Sequence, residues 1–267
     1  MLRQRIITAL LLVLTLLGVV LWLPPIATVV LLAGAVLVGA WEWSAFLLTG
    51  SVVARAAYVA MLAAVMAALW WLGEPLRVVW ATSLVATAWW LGALAWVSVA
   101  PKRVGPWAAG CAGLLALVPA WLALARLRVG HVQGAEWLLF ALALVWAADT
   151  GAFAVGRRFG RVRLAPQVSP GKTWEGVLGG LGLSMLTAVA GALWFAVPLL
   201  PFLVVCIAAA TASIVGDLTE SMLKRHAGLK DSGSIFPGHG GMLDRIDSVS
   251  AAAPVFVLGL HALEVLQ

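Results

Sequence analysis

From Ile6 to Leu23 the chain carries no charged side chain. That is about the length a helix needs to cross a hydrocarbon core of roughly 30 Å. Arg3 and Arg5 precede this run as they would in a signal peptide. Pro24-Pro25 and a second apolar run follow with no convincing small-residue cleavage site, so a retained first span is expected. The pattern then recurs along the chain. Only 10% of the residues are charged and 63% are apolar, whereas a water-soluble domain carries about a quarter charged residues. A surface so poor in charge is solvated by lipid. Within lipid the backbone must satisfy its own hydrogen bonds, so the spans are expected to be helices.

Cutting the apolar runs at turn and charge signals gives about nine spans, at 6–23, 26–48, 53–72, 78–99, 107–127, 135–156, 174–196, 199–222 and 247–265. The expected fold is all-α, a polytopic integral membrane helical bundle. Residues 1–267 read as a single membrane domain, with N-terminal apolar spans over 1–134 and a catalytic C-terminal half over 135–267. The segments near Pro24-Pro25 and Pro198–Pro201 also read as hairpins that cross only in part. No internal repeat is present, which removes the usual support for an inverted-repeat transporter.

Basic residues set the orientation. Arg3 and Arg5, then Lys102 and Arg103, then Arg157, Arg158, Arg161, Arg163 and Lys172, then Lys224, Arg225, Lys230 and Arg245 occupy four segments that nine spans place on one side. The uncharged turn Pro198–Pro201 falls on the other. This predicts a multi-pass protein of the cell (inner) membrane with its N-terminus and its basic loops in the cytoplasm. Arg126 and Arg128 fall near the outer side and run against the pattern. Trp22, Trp70, Trp71, Trp80, Trp137 and Trp194 fall near the outer interface, as an aromatic belt would. The net charge of +6 is accounted for by these loops, so nucleic acid is not an expected partner. Cys111 and Cys206 lie in apolar runs and read as small buried residues.

All five aspartates lie between residues 149 and 247. Asp149 stands inside the sixth span, where an uncompensated carboxylate costs at least roughly 2.5 kcal/mol and is a functional candidate by default. A pair with Arg157 or Arg158 is the structural alternative. Ser169-Pro-Gly-Lys-Thr-Trp-Glu-Gly176 places a hydroxyl, Lys172 and Thr173 just before a helix start, where free amides and the helix dipole favour an anion. It lacks the spacing of a phosphate loop, and by itself reads equally well as a basic loop with a capped helix. Spacing places Asp217, Ser221 and Lys224 on one helical face, and Glu220–Lys224 reads as helix support. In Pro237-Gly-His-Gly-Gly241 the glycines exclude helix and allow close backbone approach to a ligand. Asp244, Asp247 and Ser248 then share a face. Carboxylates beside lysines, an arginine and exposed amides suit a magnesium–triphosphate complex, since magnesium usually takes one or two carboxylates plus substrate phosphates.

Ser221-x-apolar-Lys224-Arg225-x4-Lys230-Asp231-x-small-x2-apolar-Pro237-x-His239-Gly240-Gly241-apolar-x-Asp244-Arg245-apolar-Asp247 resembles, without gap or mismatch, the signature of the phosphatidate cytidylyltransferases, or CDP-diacylglycerol synthases. Asp149-Thr-Gly-Ala and Ser169-Pro-x-Lys-Thr-x-Glu-Gly also resemble that family, with Phe153 where a tyrosine is frequent. The resemblance spans about residues 145–250; the earlier spans match only in being apolar. It implies that CTP and phosphatidic acid give CDP-diacylglycerol and pyrophosphate with magnesium, a second, monovalent cation being left open. It also implies a homodimer in membrane lipid.

Asp217 and Asp244 are then the expected metal ligands, with Asp149, Asp231 and Asp247 as further ligands or orienters. Lys172, Lys224, Arg225, Lys230 and Arg245 would clamp phosphates, while Ser169, Thr173, Ser221, Gly240 and Gly241 complete the cradle. His239 would serve as a phosphate or proton-transfer partner. Asp217, Asp244, Lys230 and His239 form the expected catalytic set. The alternatives are a CTP-dependent transferase for another lipid or polyprenyl phosphate, an ion-coupled transporter, and a non-catalytic scaffold. A transporter predicts polar residues spread over the midplane of several spans, and here they cluster toward one face.

Overall fold

Prolines mark where several helices begin. Pro25, Pro75 and Pro106 each occupy the first helical position, where the missing N–H would have no intrahelical partner in any case. The computed structural model describes residues 2–72, 75–236 and 240–266. Among the described residues there are nine α-helices: α1 (Leu2–Trp22), α2 (Pro25–Trp43), α3 (Val52–Trp71), α4 (Pro75–Val99), α5 (Pro106–Gly130), α6 (Gly134–Phe159), α7 (Trp174–Trp194), α8 (Leu199–His226) and α9 (Leu243–Ala262). A 3-10 turn, Ser44–Leu47, extends α2.

Seven helices, α2 to α8, are long and apolar enough to cross a membrane. The all-α polytopic bundle expected from the sequence is therefore what the chain forms, with seven of the nine expected spans meeting that measure. Among the described side chains of α1, Leu10–Trp22 form a shorter apolar helix. Asp244, Arg245 and Asp247 occupy the first turns of α9. One short departure from pure helix lies in the basic segment after α6. Strands β1 (Arg163–Ala165) and β2 (Ser169–Thr173) pair antiparallel, Arg163 opposite Thr173 and Ala165 opposite Ser169. Trp174 N–H donates to Val162 O at 2.9 Å to close the hairpin.

Helix α5 is the axis of the bundle. Every residue from Ala116 to Ala125 is buried, as an all-round apolar helix must be. Side chains tie the helix ends together. At one end Trp43 Nε1 donates to Ala109 O at 2.8 Å and Tyr58 Oη to Gly110 O at 3.0 Å. At the other, Arg126 donates to Trp70 O, Arg128 to Val20 O at 3.0 Å and Trp194 Nε1 to Glu136 at 2.9 Å. Arg126 and Arg128 thus cap carbonyls left free at helix C-termini, which explains basic residues at the end away from the basic loops. Trp22, Trp71, Trp80 and Trp194 are exposed, as an interfacial belt requires. Trp137 is not: only 1% of it is accessible, and it stacks on Phe195 at 3.5 Å within a cluster that includes Phe140, Phe202 and Phe256.

Helices α6 and α7 approach backbone to backbone through small residues, the usual device for close packing in lipid. A Cβ on Gly180 would stand 2.6 Å from Ala148 O, and one on Gly179 would overlap Val155. Gly179→Val should therefore lower thermal stability in detergent by about 1–3 kcal/mol, the usual cost of overpacking. An unchanged melting temperature would contradict the close approach.

Candidate active site

The hairpin places Lys172 against α8 and Thr173 at the start of α7. Thr173 Oγ1 accepts from Gly176 N–H at 3.1 Å and caps α7. Lys172 Nζ lies 2.5 Å from Asp217 Oδ2. Ser169 sits half-buried at the start of β2. Ser221 Oγ donates to Asp217 Oδ1 at 3.2 Å, one turn along α8, which puts both residues on the face that their spacing predicts.

Lys224 continues that face and is 8% accessible. Its Nζ contacts Glu220 Oε2 at 2.7 Å and Asp244 Oδ1 at 2.6 Å. The i,i+4 pair read as helix support is thus an interior pair, with Glu220 1% accessible, and it extends to a third charge on α9.

Asp244 has donors on both oxygens. Besides Lys224 on Oδ1, its Oδ2 accepts from Ser232 N–H at 3.0 Å, Ser232 Oγ at 2.9 Å and Gly241 N–H at 2.8 Å. Gly240 adopts φ +80°, open to glycine at no steric cost. Phe236 N–H bonds Gly240 O at 3.0 Å across the turn. His239 lies outside the described residues.

Asp149 is exposed on the wall of a cavity that also reaches Asp244, Arg245 and Asp247. Lys172, Arg245 and Asp217 all act electrostatically on Asp149, while Arg157 and Arg158 lie over the rings of Phe153 and Phe159. Asp217 and Glu220 act on Asp247, whose Oδ1 accepts from Ser248 N–H at 2.7 Å. The structure thus brings together Asp149, Lys172, Asp217, Ser221, Lys224, Gly241, Asp244, Arg245 and Asp247. Arg225 is exposed and donates to Leu229 O at 3.1 Å. Lys230 and Asp231 are exposed beyond α8, with Asp231 beside Gly240.

Two residues escaped the sequence reading. Glu42, in the last turn of α2, is 4% accessible and accepts from Leu243 N–H at 2.8 Å, Met242 N–H at 3.2 Å and Ser232 Oγ at 3.1 Å. Ser232 joins it to Asp244. The same argument that singles out Asp149, a carboxylate inside an apolar run, applies to Glu42.

The donor set suits magnesium in kind, being hard carboxylate oxygens beside lysines. Among the described residues no three His, Cys, Asp or Glu side chains converge as a ready-made metal nest.

The fold and the site define a polytopic membrane protein with a cluster of paired charges gathered at one end of its helices. The chain belongs to the cytidylyltransferase family, whose sequence profile matches residues 3–263, well beyond the stretch that carries the motifs. It is 43% identical over 270 residues to a phosphatidate cytidylyltransferase of Pseudomonas aeruginosa, covering 98% of both chains. It is 35% identical over 281 residues to a phosphatidate cytidylyltransferase of Haemophilus influenzae, covering 96% of this chain and 97% of the other. To a phosphatidate cytidylyltransferase of Synechocystis sp. it is 48% identical over 124 residues, 44% of this chain and 40% of that one.

Proposed function

We propose that this chain is a magnesium-dependent phosphatidate cytidylyltransferase. One observation carries the reading. A cavity of about 570 Å³ runs from apolar walls that include Leu12, Leu16, Leu32, Val36, Leu117 and Trp121 to a charged end at Asp149, Asp244, Arg245 and Asp247. A lipid with a phosphate head has the same division: acyl chains against the walls, phosphate among the charges. The protein lies in the cell (inner) membrane, with α1 and α9 completing nine crossings and the site facing the cytoplasm. There CTP arrives from water and phosphatidate from the adjoining leaflet. The supporting feature is the gathering of basic segments at the site end. The working unit is a homodimer, as the family resemblance implies.

In the reaction a phosphate oxygen of phosphatidate bonds to the α-phosphorus of CTP. The bond from that phosphorus to the bridging oxygen breaks, and pyrophosphate leaves with the electron pair. The attacking oxygen is already anionic at neutral pH, so no strong base is needed; positioning and charge neutralisation carry the rate. Asp217 and Asp244, with Asp149, Asp231 or Asp247 as further ligands or orienters, would hold magnesium, which would supply neutralising charge beside the phosphates. Lys172 and Lys224 are the cations nearest the carboxylates of the site. Lys172 is held by Asp217 and Lys224 by Glu220 and Asp244; when CTP binds, Lys172 would pass from Asp217, and Lys224 from Asp244, to a phosphate oxygen. Arg245 stands at the cavity end for the lipid phosphate. Lys230, Arg225 and Ser169 add further phosphate contacts, with His239 as a phosphate or proton-transfer partner.

Purified protein in detergent should release pyrophosphate from CTP only when phosphatidic acid and magnesium are both added, with a lipid-soluble cytidine product. Release that needs no lipid phosphate would overturn the reading. Folded protein that is inactive with phosphatidate but active with another lipid or polyprenyl phosphate would reassign the acceptor.

A further inference from the structure

Helix α9 presents its free N-terminal amides with no side-chain cap of its own, although such orphan donors need partners when buried. The partner comes from the other half of the chain. Glu42 Oε2 accepts from Leu243 N–H and Oε1 from Met242 N–H, and a carboxylate at that end also opposes the helix dipole favourably. We infer that Glu42 is a positioning residue for the transfer reaction: through Ser232 and the start of α9 it fixes the orientation of Asp244. The inference rests on the proposed function only for its kinetic readout.

Three observations converge. Ser232 Oγ lies 3.1 Å from Glu42 Oε2 and 2.9 Å from Asp244 Oδ2. A hydroxyl has one proton, so it serves one carboxylate at a time and couples the two. Asp244 N–H in turn donates to Ser232 Oγ at 3.3 Å, which closes the unit. Glycines on both flanks of the turn are fitted to the same carboxyl group. A Cβ on Gly233 would stand 2.7 Å from Glu42 Cδ, and one on Gly241 would stand 2.6 Å from it. The hydrogen bonds Glu42 accepts come from Ser232, Met242 and Leu243, none of them proposed to meet substrate directly, and it acts through these three. Supporting contacts of this kind typically carry about 10–100-fold in activity when removed.

Glu42→Gln tests this, because the amide keeps the volume but turns one acceptor into a donor facing backbone N–H groups. The turnover number for pyrophosphate release should fall about 10–100-fold, with KM for CTP unchanged within about threefold. Hydrogen exchange should quicken in the first turn of α9 and not in α5. Glu42→Asp, which keeps the charge on a shorter arm, should fall between the two in both readouts. Full turnover in Glu42→Gln, or unchanged exchange at α9, overturns the inference. Loss of folding in both variants assigns Glu42 to stability alone and overturns it equally. If the unsubstituted protein fails to turn over CTP with phosphatidate, the proposed function fails, and exchange at α9 then decides whether Glu42 holds that helix.

Discussion

Asp217→Asn should abolish measurable turnover and leave the protein folded. Asp217 is the most accessible of the charges that the site pairs, its side chain 30% accessible and that of Lys172 26%. An ion pair this open contributes about 1 kcal/mol or less to stability, so removing its charge costs the fold little. Asparagine has the same shape and can still accept from the Ser221 hydroxyl through Oδ1. What it cannot do is hold a divalent cation among phosphates or keep Lys172 in reserve beside it. Loss of a single preorganised group that opposes developing charge costs on the order of 10²–10³-fold, and here two functions leave with one oxygen. Pyrophosphate release with CTP and phosphatidate measures the first effect; the melting temperature in detergent measures the second. A variant that melts normally and turns over normally would remove Asp217 from the metal site.

The sequence yields the helices of this molecule readily, because in lipid a long apolar run and a spanning helix are nearly the same statement. The cuts at 53–72, 107–127 and 174–196 fall within a few residues of α3, α5 and α7. The start of α9 differs more than these: the helix begins at Leu243, ahead of the apolar run, where Glu42 accepts from the first amides. The face that carries Asp217, Ser221 and Lys224 was equally legible, since it follows from helical spacing alone. What escaped depends on contacts distant in sequence. Glu42 meets Leu243 across 201 residues, and no local pattern announces that meeting. Trp137 has the position of a belt residue and is buried because Phe195 stacks on it from the end of α7. Hairpin β1–β2 consists of short strands around Pro170 and Gly171, whose composition alone reads as loop. Glu220–Lys224 has the spacing of a surface pair, and only the packing of α9 against α8 makes it interior.

That last difference sets the second large effect. Lys224→Met should destabilise the protein by about 3–5 kcal/mol, the usual cost of leaving a buried charge without its partner. Lys224 is the cation between Glu220 and Asp244, whose side chains are 1% and 8% accessible. Methionine fills the space of the stem and returns none of the charge. Lys224→Arg should not restore the native arrangement, because a planar fork cannot replace a compact ammonium between two carboxylates. Adding Glu220→Gln to Lys224→Met removes one of the two abandoned charges and should recover part of the lost stability, read as a rise in melting temperature over the single variant. Turnover in the double variant should stay low, since Lys224 is also proposed to pass from Asp244 to a CTP phosphate. Recovery of both stability and turnover would confine Lys224 to holding α8 against α9. A single variant that melts like the unsubstituted protein would mean that water, not Lys224, satisfies these carboxylates.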